Sequence, residues 1–393
     1  MIAKIAWRNI IYKPLNTILS LILLSAAVAI ISLIILLQQQ FENKFSKNIE
    51  AVDLVLGASG SPLQLILSSV YQMDAPTGNI NYEEAKVWMN HPFVKKAIPL
   101  AFGDNYNGYK IVGTTETYIE KYDGKFSEGK IFRQNFEVVV GSEVANKMKL
   151  RLGSTFYSSH GESAEGEKHE NADFIVVGIL QPTGNVIDNL VLCSIQSVWG
   201  VHQQEASEEH HEEEITAVLF ELRNKMAFVM WPRMISQNTK MQMASPAIEI
   251  NRLFTLFGFG LQALQYLAYG IMLISGISIF IALYNTLKER KYEFALLRVS
   301  GAGRSRLLAL VLWESMFLCV TGFILGTIFG RIALWYISSA TEDEYKMAFD
   351  PFQFVWQKEG VLFAVTIFVG IVAALIPAIK AYRIDISKTL SNA

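Results

Sequence analysis

Residues 15–37 read LNTILSLILLSAAVAIISLIILL, with no charged side chain from end to end. At 1.5 Å per residue a helix crosses the ~30 Å hydrocarbon core in about 20 residues, so this run is long enough to span a bilayer. The competing reading is a secretory signal peptide, whose apolar region is about 7–15 residues and ends at a small-residue cleavage site. Here the run is longer and continues into Gln38-Gln39-Gln40-Phe41-Glu42. It is assigned as a first transmembrane helix.

Three further apolar segments follow in the last third of the chain, at 253–287, 307–337 and 361–379, which gives four spans arranged one then three. The composition agrees: 51% of the 393 residues are hydrophobic and 18% charged, which argues against a wholly soluble enzyme. A formal net charge of −2 excludes a nucleic-acid binder that relies on overall basicity. Cys193 and Cys319 lie far apart, the second inside an apolar run, so a disulfide framework is excluded too.

Orientation follows from the cations at the span ends. Lys4, Arg8 and Lys13 precede the first span; Lys288, Arg290, Lys291, Arg298, Arg304 and Arg306 lie between the second and third; Lys380, Arg383 and Lys388 follow the fourth. All three groups belong in the cytoplasm. The loop between the third and fourth spans is acidic, with Glu342, Asp343, Glu344, Asp350 and Glu359 against Lys346 and Lys358. That loop and residues 38–244 therefore lie outside, and both termini are cytoplasmic.

The outer region of about 200 residues is long enough to bury a core of its own. It carries β-branched runs at 136–140, 174–180 and 215–222, and a helical pattern at 82–89 introduced by Asn81. These predict an α+β domain. Downstream, Ser245-Pro246 is a favourable helix start. An unbroken helix from there to Leu287 would be about 60 Å long, twice what a bilayer needs, and would project outward as a stalk. The alternative is a loop followed by an ordinary span.

Motifs for chemistry are few. Gly124-Lys-Phe-Ser-Glu-Gly129-Lys130-Ile131 has the spacing of a phosphate-binding loop but ends in Ile where Ser or Thr must coordinate magnesium, and it reads as a plain loop. No HExxH, GxSxG or CxxC occurs. All six histidines lie in the outer region, with His202, His210 and His211 in the acidic segment VHQQEASEEHHEEEI, and His160 and His169 in another acidic stretch. Imidazoles among carboxylates are a candidate Zn²⁺ site, the alternative being a solvated acidic loop. In the third span, Glu314 and Arg331 are ionisable groups at membrane depth, which need a protein interior or a route to the interface. Gly322, Gly326 and Gly330 recur every four residues and offer one bare helix face to a neighbouring helix.

The cytoplasmic linker reads KERKYEFALLRVSGAGRSR over residues 288–306. Its charges extend the second span inward, Phe294, Leu296 and Leu297 supply an apolar face, and Gly301 and Gly303 end the helix. An apolar patch ringed by cations predicts a docking surface, against the plainer reading of a basic turn that only fixes topology.

The run ERKYEFALLRVSGAGRSRL resembles the signature RxxExxxLRxxGA of the FtsX-like permeases of ABC transporters, the MacB and LolC/LolE group. The closing segment from Ile376-Pro377 to Asp385 is similar to that family's IPAxxAxxxDP, with Ile386 in place of the final proline. Ala6-Trp7-Arg8-Asn9 with Pro14-Leu15 resembles its amphipathic helix leading into the first span. Val140-Gly141, Leu152-Gly153 and the run from Val176 to Leu180 resemble the MacB-type periplasmic core domain.

The resemblance implies the following organisation: an amphipathic cytoplasmic helix (1–14), a first span (15–37), a periplasmic domain (38–244), a stalk with the second span (245–287), a coupling segment (288–306), a third span (307–337), an outer loop (338–360), a fourth span (361–379) and a cytoplasmic tail (380–393). It implies a permease of the bacterial inner membrane that pairs with a second copy or a sister permease and sits on a separate ATPase subunit, where ATP and Mg²⁺ are bound. No cofactor is expected on this chain. Glu289, Glu293, Arg298, Gly301 and Ala302 would lie at or beside the ATPase contact, and ATP-driven closure would move the outer domains (mechanotransmission). Efflux with a periplasmic adaptor and outer-membrane channel, and extraction of lipoproteins or other membrane lipids, are both compatible. The alternative class is a metal-sensing or signalling protein that uses the histidine-rich loop.

Overall fold

The computed structural model describes residues 2–12, 14–159, 168–203, 213–345 and 349–384. The chain opens with α1 (Ile2–Tyr12) and α2 (Pro14–Ile49). The inserted segment follows as β1 (Leu54–Ala58), α3 (Pro62–Val70), β2 (Ile80–Asn81), α4 (Tyr82–Met89), β3 (Val94–Tyr106), β4 (Tyr109–Thr114), α5 (Glu116–Lys121), β5 (Phe126–Gly129), β6 (Glu137–Val140), α6 (Ser142–Met148), β7 (Thr155–Ser159), β8 (Lys168–Leu180), a 3-10 turn at Val186–Asn189, β9 (Val191–Ser194), α7 (Ile195–Gln203), β10 (Glu214–Ile215), β11 (Ala217–Leu222), α8 (Met226–Asn238) and β12 (Met241–Ala244). Four helices close the chain: α9 (Pro246–Glu289), α10 (Lys291–Val299), α11 (Arg304–Tyr345) and α12 (Trp356–Tyr382). They form two compact units, one of Met1–Phe41 with Leu256–Ala393, the other of Glu42–Thr255.

In the first unit α2, α9, α11 and α12 are each long and apolar enough to cross a membrane. Leu24 and Val28 of α2 are buried with Met272 and Ile279 of α9, Leu310 and Val311 of α11 and Ala374 of α12. Apolar burial alone adds little between helices in lipid, so close approach matters more. Gly322, Gly326 and Gly330 of α11 face α2: added Cβ atoms would lie 2.6 Å from Leu24 Cδ2, 2.6 Å from Val28 Cβ and 2.8 Å from the Ala29 carbonyl oxygen. On another face of α11, Ser315 Oγ donates to the Gly370 carbonyl of α12 at 2.7 Å.

Both ionisable residues of the third span have partners in this unit. Glu314 is 4% exposed and accepts from the Asn9 amide of α1, and α1 is further held by an edge-on contact of Trp7 with Phe317 at 5.6 Å. Arg331 Nη2 donates to both oxygens of Glu359, at 2.9 and 3.0 Å. Arg331 Nη1 donates to the carbonyls of Pro351 and Gln353, at 2.6 and 2.9 Å. A charge withdrawn from water is tolerable when it is paired and its remaining donors are used, as here.

The second unit is built on a mixed ten-stranded sheet in the order β12-β1-β11-β3-β4-β9-β6-β8-β5, with β7 bridging β3 and β8. The pairs β4/β9 and β6/β8 are parallel and the others antiparallel. The expected helix at 82–89 forms, and Asn81 Oδ1 accepts from the Glu84 N–H at 3.1 Å. Strand edges differ from expectation for local reasons. Phe136 has φ 66 and stays outside β6, because the Glu137 carboxylate gathers the N–H groups of Arg133 and Gln134 into a turn. The run 215–222 is interrupted at Thr216, whose hydroxyl accepts from the Phe102 N–H at 2.9 Å. The stretch 124–131 is no phosphate loop: it holds strand β5, and a Cβ on Gly129 would lie 2.1 Å from the Val177 carbonyl of β8.

The last turns of α2 and the first of α9 belong to this second unit, and the domain grips them. Tyr71 donates its hydroxyl to the Phe45 carbonyl at 2.9 Å, and the Phe45 ring lies against Tyr71 and Phe254. Lys121 Nζ donates to the Asn48 carbonyl at 2.8 Å, while Asn48 Oδ1 accepts from the Val186 N–H at 3.2 Å. Ser245 provides its carbonyl, not its hydroxyl, to the start of α9: Glu249 N–H donates to it at 3.1 Å, and Ser245 Oγ is buried without a partner.

Candidate coupling segment

α9 runs into α10 with only Arg290 between them. The helical ladder nearly bridges the joint, since Arg290 N–H donates to the Thr286 carbonyl at 3.0 Å and Phe294 N–H to that of Arg290 at 3.1 Å. At the other end, Gly301 N–H returns to Arg298 at 3.1 Å and Ala302 N–H to Leu297 at 2.9 Å. This closure places Gly301 at φ +91, where a side chain is disfavoured, and α11 starts at Arg304.

α10 has two unlike faces. Phe294 and Ala295 are 3% and 0% exposed, and Phe294 belongs to the core that also holds Leu287, Leu307 and Leu310. Tyr292, Leu296, Leu297 and Val299 are exposed. The sequence-based apolar face of Phe294, Leu296 and Leu297 is therefore corrected: Phe294 anchors the helix from within, and Tyr292 and Val299 join the outward surface. Positions 292, 296 and 299 have helical i, i+4, i+7 spacing, the pattern that could have revealed them.

Glu293 is exposed and held by Arg290, whose Nε and Nη2 lie 2.7 and 2.6 Å from Glu293 Oε2. A pair this exposed contributes little to stability; its effect is to fix where the carboxylate is presented. Glu289 is also exposed, Arg298 is half-buried with Nε unpartnered, and Ala302 is half-buried in the turn. The segment thus presents an apolar strip beside an oriented carboxylate and the cations Lys291, Arg304 and Arg306. From α12, Lys380 Nζ donates to the Tyr284 hydroxyl of α9 at 3.1 Å, tying the inner ends of the two helices together.

The candidate metal residues are not assembled by the described residues. His210 and His211 lie outside them, as does His160; His202 and His169 are placed in α7 and β8 by backbone only. Among the described residues no group of three or more His, Cys, Asp or Glu side chains is arranged to hold a metal.

A 1+3 set of spans, an α+β domain inserted after the first, and a short two-faced helix between the second and third define a polytopic membrane protein. Family models agree: the one described as FtsX-like permease C-terminal matches residues 266–386, and the one described as MacB-like periplasmic core domain matches residues 17–227. The chain belongs to the FtsX-like, MacB-type permease family. It is accordingly an ABC-transporter permease of the inner membrane with a periplasmic domain, and the family implies an ABC ATPase as its partner.

Among solved structures, the periplasmic region of MacB from Actinobacillus actinomycetemcomitans is similar at 9% identity and a TM-score of 0.36, covering 53% of this chain and 97% of that one. The extracellular domain of the ABC-type transporter YknZ from Gram-positive bacteria is similar at 12% identity and a TM-score of 0.32, covering 49% and 99%. No curated protein matches the chain.

Proposed function

We propose that this permease converts ATP-driven movement of a separate ATPase subunit into movement of its periplasmic domain, with α10 as the contact. The observation that carries the reading is the two-faced α10: Phe294 and Ala295 fasten it to the membrane unit while Tyr292, Leu296 and Val299 remain outward beside Glu293. An exposed apolar strip of this kind is a docking surface for a protein groove. Glu289, Glu293, Arg298, Gly301 and Ala302 lie at or beside the contact, and both chain termini face the same, cytoplasmic, side.

A push on α10 reaches α9 through the near-continuous ladder at Arg290. α9 is one helix of 44 residues, about 66 Å at 1.5 Å per residue, against the ~30 Å of a hydrocarbon core. Its excess length carries the displacement outward to the periplasmic domain, and a second copy or sister permease supplies the opposing half. The moved substrate is either cargo for efflux through an adaptor and outer-membrane channel, or a lipid or lipoprotein taken from the membrane. The metal-sensing reading needs His210 and His211, which lie outside the described residues, and no observation among the described residues favours it.

The test is purification of the tagged chain in mild detergent, with identification of co-purifying chains and an ATPase assay. Recovery of an ABC ATPase whose activity responds to Glu293→Ala supports the proposal. A chain that purifies without an ATPase overturns it.

A further inference from the structure

The stretch from Phe349 to Trp356, between the third and fourth spans, is held in place while two of its aromatic side chains point outward. Phe349 is 5% exposed and stacks obliquely on Phe41 at 5.1 Å; its N–H donates to Ser338 Oγ at 2.7 Å. The buried Gln40 amide grips Asp350 twice, donating to its carbonyl and accepting from its N–H, both at 2.8 Å. Arg331 holds the carbonyls of Pro351 and Gln353, and its guanidinium lies over the Phe354 ring at 4.2 Å. Yet Phe352 and Trp356 are 81% and 80% exposed. Aromatic side chains carry roughly 150–250 Å² each, so the two leave a large apolar area uncovered on a backbone that cannot fold over it.

Depth decides what covers them. From Arg306 at the inner end of α11 to Arg331 a straight helix rises about 38 Å, slightly more than a ~30 Å hydrocarbon core. The Arg331 clip therefore sits at the outer boundary of the membrane, and α12, whose first turn carries Gln357, Lys358 and Glu359, returns to the apolar layer from Val361. Trp335 of α11 and Phe363 of α12 are also exposed. Aromatic side chains favour the interfacial zone of a bilayer. We propose that the loop Phe349–Trp356 is a preformed membrane anchor whose Phe352 and Trp356 side chains lie in the interfacial region of the outer leaflet. Through Gln40 and Arg331 it fixes the depth of α2, α11 and α12 together.

The test uses a spin label on Phe352→Cys in the full chain in phospholipid vesicles; Cys193 and Cys319 are buried, and labelling of the unsubstituted chain sets the background. Collision with oxygen, which partitions into lipid, is compared with collision with a water-soluble nickel chelate. The proposal expects an oxygen-to-nickel ratio several-fold above that of Val87→Cys, an exposed position on the periplasmic domain. A ratio equal to that of Val87→Cys overturns it, as does inaccessibility to both reagents, which would mean that protein covers the loop. As a second measurement, brominated lipid should quench the fluorescence lost on Trp356→Phe; an unquenched difference signal overturns the proposal.

Discussion

Replacing Gly326 by valine should loosen the membrane unit, whereas the same change at Gly270 should not. A Cβ at position 326 would lie 2.6 Å from Val28 Cβ and 2.7 Å from the Ser25 carbonyl oxygen, about 1 Å inside ordinary contact. That oxygen is part of the α2 backbone, so relief requires α2 to move as a body and to give up its neighbouring contacts at Gly322 and Gly330. Overpacking of this kind costs about 1–3 kcal/mol. Valine recovers only a few tenths of a kcal/mol over glycine in helix propensity. Gly270 has nothing within 4 Å, so valine there keeps the small gain without the clash. At about 2–4 °C per kcal/mol for a unit of this size, Gly326→Val should lower the unfolding midpoint by on the order of 5 °C. The reporter is built in: Cys319 on α11 is 0% exposed and reacts with a fluorogenic maleimide only when the unit opens. Cys193→Ala removes the other buried thiol. Because detergent unfolding is irreversible, all variants are compared at one heating rate. An unchanged midpoint for Gly326→Val, or an equal fall for Gly270→Val, would refute the packing argument.

Three further outcomes follow from other parts of the molecule. Burial lowers the Lys121 amine to about 7 from its ordinary 10.5, with Glu50 opposing the shift. Between those values the unfolded chain holds more protons than the folded one, so stability rises with pH through that window, and the penalty is complete below it. Wild type should therefore gain on Lys121→Met as pH is raised from 7 to 10 in a melting series; a difference that falls with pH contradicts the burial of this amine. Arg331→Met strands Glu359 and the carbonyls of Pro351 and Gln353, at a cost of about 3–5 kcal/mol, while Arg331→Met with Glu359→Leu should recover most of it; the Cys319 reporter measures both, and a double variant no better than the single one counts against a paired charge. Gly301→Val forces a β-branched residue to φ +91 and should abolish ATPase co-purification, whereas Gly301→Asn should retain part of it; equal behaviour of the two would separate the turn from the contact.

The spans were legible because lipid imposes a long uncharged run, and residues 15–37 satisfy it without any tertiary information. The Asn81 cap was legible for a similar reason, being a local bond between residues three apart. Long-range pairing was not: nothing in the run around Arg331 names Glu359 as its partner, and Glu314 gives no hint of Asn9, more than 300 residues earlier. The inward turn of Phe294 also escaped the sequence, because a short helix with apolar residues on several sides does not declare which side meets the core. At Phe136 a β-branched neighbourhood promised strand, but the hydrogen bonds of Glu137 to two preceding N–H groups moved the edge by one residue.

The account turns on α10 meeting an ATPase. The most direct measurement is a photoreactive amino acid at Leu296, an outward position on α10, activated in intact membranes, with Val229 of α8 as the control site. The account predicts a covalent adduct between this chain and an ABC ATPase subunit from Leu296 and not from Val229. An ATPase that co-purifies with the chain but is never captured from Leu296, Tyr292 or Val299 would contradict it.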